Sequence, residues 1–124
     1  FAEKALKLEQ RYKEAEDPAR THLNYAVLLS MMNRHEEAVE CIESAIAVLH
    51  DEERQMSYEH VAAVATDRES PSSAGSAREK SHKEALVVAY YNMWVELCRI
   101  RRREQGLDYI LRAADLAKRK LGNA

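Results

Sequence analysis

Apolar residues recur at three- and four-residue steps along most of this chain, the period of a helix with one buried stripe. Phe1, Ala5, Leu8, Tyr12 and Ala15 draw the first stripe. Asp17-Pro18 then ends that helix and can open the next, since Pro is tolerated in a first turn. The spacing predicts helices over Phe1–Ala15, Ala19–Met32, Glu36–His50, Ser81–Ile100 and Glu104–Lys120, with no strand. Asn33-Arg34-His35 reads as a short turn in which Asn33 takes a left-handed conformation at low cost. Met56, Val61, Val64 and Ala65 keep helical spacing, so the third helix either stops near His50 or runs on. Residues 66–80 are polar and Ser-rich, hold Pro71 and Gly75, and read as a mobile loop.

One phrase occurs twice. His22-x2-Tyr25-Ala26-x2-Leu29 is followed by Ala38-x3-Ile42-x2-Ala45; Tyr90-x2-Met93-Trp94-x2-Leu97 is followed by Gly106-x3-Ile110-x2-Ala113. The second copy lies 68 residues after the first, and an Asn precedes the central pair each time, Asn24 and Asn92. This pattern resembles the tetratricopeptide repeat, whose helix pairs recur about every 34 residues. The resemblance implies an all-α chain: a short α-solenoid of antiparallel helix pairs, about five helices in all. It divides the single domain into residues 1–16 as the second helix of a partial repeat, a repeat at 19–50, a loop at 66–80 and a repeat at 81–120. Ala38 and Ala45 are the small residues that let two helices approach closely.

The later copy departs from the pattern. Arg101-Arg102-Arg103 stands where a turn former is expected, so Ser81–Ile100 and Glu104–Lys120 form either a hairpin or one long helix. Trp94 replaces a small residue, and Gly106 replaces Ala. A large-for-small swap matched by a small-for-large one across the same crossing conserves volume.

In proteins of this kind the first helices of successive repeats line a concave groove. Several members, kinesin light chains among them, hold the backbone of an extended peptide there with an Asn. An amide suits that role because it both donates and accepts. Carried onto this chain, the resemblance implies a peptide-binding groove of Arg20, Leu23, Asn24, Val27, Val88, Tyr91, Asn92, Val95 and Arg99, with Ser30, Met31 and Cys98 on the same face. The alternative is that each Asn bonds within its own repeat. Leu23, Val27, Tyr91 and Val95 stand where carboxylate-clamping members carry Lys and Asn, so an apolar or amphipathic segment is the expected occupant.

The remaining features narrow the function classes. A net charge of −2 gives no bulk attraction to nucleic acid, and the basic runs at 99–103 and 118–120 lack aromatic interleaving. No apolar run reaches the roughly 18 residues of a membrane span. Cys41 and Cys98 sit in helical patterns without a CxxC, which reads as reduced thiols and a cytoplasmic setting; the resemblance adds cytoskeletal association as one option. No His, Cys or carboxylate spacing suits a metal, no local grouping suits nucleophilic catalysis, and no cofactor motif occurs. The chain opens Phe1-Ala2-Glu3 without Met and reads as a fragment. The expected function is a protein-protein interaction module, an adaptor or scaffold holding a peptide segment of a partner. The alternatives are a self-association domain forming a homodimer and a regulatory domain of a larger enzyme.

Overall fold

The computed structural model describes residues 3–4, 17–65 and 73–120, with side chains for all of these except 73–76 and 120. Four helices follow one another: α1 Pro18–Met31, α2 His35–Ala65, α3 Ser73–Arg99 and α4 Arg103–Lys120. Among the described residues there is no strand. The fifth expected helix, Phe1–Ala15, lies outside the described residues apart from helical residues 3–4.

The start of α1 follows from its capping residue. The Asp17 carboxylate accepts from the Arg20 backbone N–H at 3.0 Å, and Pro18 occupies the first turn, where its missing N–H costs nothing. The end is a six-to-one turn. Asn33 takes φ 61°, its N–H donates to the Ser30 carbonyl, and the Arg34 N–H donates to the Leu29 carbonyl at 2.9 Å. Arg34 then pairs its Nε with Glu37 Oε1 at 2.7 Å, and this bond holds the Glu37 carboxyl below its ordinary pKa.

The same turn returns 68 residues later. Arg101 takes φ 65°, its N–H donates to the Cys98 carbonyl, and the Arg102 N–H donates to the Leu97 carbonyl at 2.7 Å. Helices α3 and α4 are therefore a hairpin, not one fused helix. An arginine in the left-handed region pays a steric cost that glycine escapes. Arg101→Gly is expected to raise the unfolding free energy by about 1 kcal/mol in a denaturant titration, because it relieves that clash. An unchanged or lower midpoint would show that the Arg101 side chain compensates for its backbone.

Of the two readings left open for α2, the longer holds: it runs 31 residues, past His50 to Ala65, since nothing in 51–65 breaks a helix. Helix α3 begins at Ser73, so the loop read at 66–80 loses residues 73–80, and the helix expected from Ser81 starts eight residues earlier. Its first turn absorbs Gly75, and Ala77 to Lys80 are good helix formers. The overrun of α2 gives this segment something to pair with: Arg78 Nη1 lies 3.1 Å from Glu59 Oε2.

Helix α2 packs on α1 and α3, α4 packs on α3, and α1 touches α3 more lightly. One core joins them. Leu29, Ile42 and Met93 are its largest fully buried side chains, and Ala38, Ala45 and Ala89 are fully buried with them. Gly106 is buried against Trp94: a Cβ there would meet Trp94 Cε3 at 2.9 Å and Leu97 Cβ at 3.3 Å. Trp94 and Gly106, expected to face each other across this crossing, do meet there. Buried polar groups are matched as well. The His82 Nε2–H donates to the Leu49 carbonyl at 2.6 Å, and Tyr90 Oη shares a 3.1 Å hydrogen bond with His50 Nε2. Burial raises the Tyr90 phenol above its ordinary pKa.

Candidate functional site

A cleft of about 370 Å³ opens between α1 and α3. Helix α1 supplies Val27, Ser30 and Met31; α3 supplies Tyr91, Asn92, Val95, Glu96 and Arg99; Ala26 and Ile42 complete its lining. The two helices present equivalent positions, since Val27 and Met31 become Val95 and Arg99 on adding 68. Val27, Met31 and Tyr91 are at least half exposed, which is unusual for large apolar side chains outside a contact surface.

Of the nine groove residues expected, the structure brings Val27, Tyr91, Asn92, Val95 and Arg99 into this cleft. Arg20, Leu23, Asn24 and Val88 lie outside its lining. Leu23 packs against the core and is only part-exposed, because it falls toward α1's inner face. Arg20 belongs to the N-terminal turn, Val88 is 48% exposed one turn before Tyr91, and Asn24 is exposed but already holds an interaction. Asn92 is part-exposed, and its side chain makes no hydrogen bond to another described residue.

A polar network closes one end of the cleft. Glu96 is buried at 6% exposure, one helical turn from Asn92 and Arg99. Its Oε2 accepts from Ser30 Oγ at 2.9 Å, and its Oε1 accepts from the His35 Nδ1–H at 2.7 Å. Arg99 Nη1 donates to Ser30 Oγ at 2.8 Å and stands 3.6 Å from Glu96 Oε2. The network ties α1, the start of α2 and the end of α3 together. It was not legible in the sequence; the one available signal was a charged residue inside the run Val95–Cys98.

Ser30, His35 and Glu96 are residue types used in nucleophilic catalysis, but their geometry does not suit it. Ser30 Oγ and the carboxylate both approach the same ring nitrogen, Nδ1, at 3.4 and 2.7 Å. A relay needs the hydroxyl on one imidazole nitrogen and the carboxylate on the other. The hydroxyl here also donates to the carboxylate directly, so its proton is committed.

A second cleft of similar size lies between the far ends of α2 and α3, lined by Glu53, Met56, Ser57, His60, Glu79, His82 and Lys83. Its charges are of both signs, and His82 is spent on the Leu49 carbonyl. Among the described residues no group of three or more His, Cys, Asp or Glu could hold a metal, and no helix is long and apolar enough to cross a membrane. Cys41 and Cys98 are free thiols, and burial raises the Cys41 thiol above its ordinary pKa. Neither a protein-family model nor a curated protein nor a solved structure matches this chain.

Proposed function

We propose that this chain is a protein-binding module that takes an extended or amphipathic segment of a partner protein into the cleft between α1 and α3. The observation that carries the reading is the convergence of Val27, Met31, Tyr91, Val95 and the unengaged Asn92 on one open cleft. The apolar side chains supply area and selectivity, and the Asn92 amide can meet a peptide unit with a donor and an acceptor. The matched turns at Asn33 and Arg101 and the paired small residues Ala38 and Gly106 support reading the two hairpins as tetratricopeptide-like repeats. A solenoid of such pairs presents its first helices along one concave side.

A random-peptide selection on the intact chain, followed by titration calorimetry, tests the proposal. The selection is expected to yield an apolar consensus. Asn92→Ala is expected to weaken the selected peptide by about 1 kcal/mol, the net value of one hydrogen bond, with little change in melting temperature. Tyr91→Ala should weaken it further, since a half-exposed aromatic in a cleft is a typical contact hot spot. Peptides whose affinity ignores both substitutions would remove the cleft from the interaction.

A further inference from the structure

We infer that the α3–α4 turn is a second binding site, in which Arg101, Arg102 and Arg103 receive a run of carboxylates from an acidic segment of a partner protein. The matching turn of the first hairpin is the control. Adding 68 carries Asn33, Arg34, His35, Glu36 and Glu37 to Arg101, Arg102, Arg103, Glu104 and Gln105. Both turns have the same backbone: a left-handed first residue, then a six-to-one hydrogen bond from the next N–H. Their charges differ. The first turn holds one arginine, Arg34, and Glu37 pairs with it. The second holds three, and Gln105 stands where that carboxylate would be.

The chain itself does not neutralise the three. All are exposed, and among the described residues none forms an ion pair or a side-chain hydrogen bond. By contrast, Arg34, Arg54, Arg78, Arg99, Arg112 and Arg119 each stand within ion-pair distance of a carboxylate. Folding does not call for the cluster either. Asn33 makes the same turn at lower steric cost, and cations at a helix start are repelled by the positive end of its dipole. The cluster therefore costs stability in the free chain, and an anionic ligand offsets that cost. A guanidinium fork matches a carboxylate with two parallel hydrogen bonds, so adjacent forks suit adjacent carboxylates.

The surrounding charge selects a short acidic segment over a long polyanion. Residues 99–120 hold eight Lys or Arg against three Asp or Glu, while the rest of the chain holds eleven against eighteen. The start of α2 lies at the same end of the molecule, tied to α3 by the His35–Glu96 bond, and it exposes Glu36, Glu37 and Glu40. A nucleic-acid strand carries a charge at every phosphate and would run from the arginines onto those acids. A few side-chain carboxylates meet the arginines alone.

Fluorescence anisotropy on the intact chain with a labelled hexaglutamate peptide tests the inference, beside labelled hexaglutamine and a labelled single-stranded hexanucleotide. Hexaglutamate is expected to bind, more weakly as salt rises, and hexaglutamine not to bind. The triple variant Arg101→Asn, Arg102→Gln, Arg103→Gln should lower the affinity about tenfold or more, the loss expected from charge-assisted hydrogen bonds. Its unfolding midpoint should not fall, because Asn serves the same turn at position 33. Gln105→Glu should weaken binding with every arginine still present, because it supplies the carboxylate that Glu37 gives Arg34. Arg54→Gln, which removes an equal charge elsewhere, should leave the affinity unchanged. Hexaglutamate that does not bind at low salt overturns the inference, as does an affinity indifferent to the triple variant or to Gln105→Glu. A hexanucleotide bound more tightly than hexaglutamate overturns it too, and assigns the turn to nucleic acid.

Discussion

Gly106→Leu is expected to lower the unfolding free energy by about 3 kcal/mol, the upper part of the usual cost of overpacking. The Cβ alone would lie 2.9 Å from the Trp94 ring and 3.3 Å from Leu97 Cβ. Trp94 is a rigid ring, not the far end of a flexible chain, so it can yield only by moving as a whole. Leu97 cannot yield either, since its carbonyl accepts the Arg102 N–H that closes the α3–α4 turn. Gly106→Ala should cost less than Gly106→Leu, and Trp94→Ala combined with Gly106→Leu should recover part of the loss by freeing the ring's volume. Ala38→Leu and Ala45→Leu, both at fully buried crossings, should each cost about 1–3 kcal/mol. Urea titrations of these variants read the effect directly. Wild-type midpoints for Gly106→Leu would mean that α3 and α4 are not packed through this glycine.

Glu96→Ala is expected to destabilise by about 2 kcal/mol, and to do so by loosening one hairpin from the other. Its carboxylate is the shared acceptor of Ser30 and His35. Removing it leaves a hydroxyl and a ring N–H without their acceptor in a part-buried site. The loss is smaller than for a fully buried ion pair, because Arg99 is half exposed and water can take over its share. Glu96→Gln should recover some of the loss, since an amide oxygen still accepts. A double-mutant cycle between Glu96→Ala and Ser30→Ala should show coupling, because the two side chains lie 66 residues apart in sequence and meet only in the fold. Strict additivity would show that the 2.9 Å contact contributes nothing to stability.

Most of the helical content was legible because the helical period is local. The three-four spacing of buried positions depends only on residues within the same helix, so α1 and the main bodies of α2, α3 and α4 could be read directly. Asn33 was legible as the left-handed turn residue because Asn adopts that conformation at small cost. Arg101 was not, since no side-chain preference marks it. Its conformation follows from the packing of α4 onto α3 across Gly106 and Trp94. The same limit explains the missed start of α3. Residues 73–76 carry the composition of a loop, and the helix that begins there is supported by the overrun of α2 and by the Glu59–Arg78 pair. At the candidate site, Val27, Tyr91, Asn92, Val95 and Arg99 were legible through the repeated phrase. Leu23 packs against the core and does not line the cleft, because a helix shares apolar residues between core and surface by small rotations that spacing does not resolve.

The sequence by itself determined an all-α chain, the two matched helix pairs, and the face that carries the cleft's apolar residues. It did so because periodicity, capping and a repeat are properties of neighbouring residues. The tertiary structure alone decided that Glu96 is buried, that it answers Ser30 and His35, and that Leu107 and Leu111 are left uncovered while Val39 is not. Burial and hydrogen-bond pairing across 61 or 66 residues depend on which helices meet, and packing sets that, not local spacing.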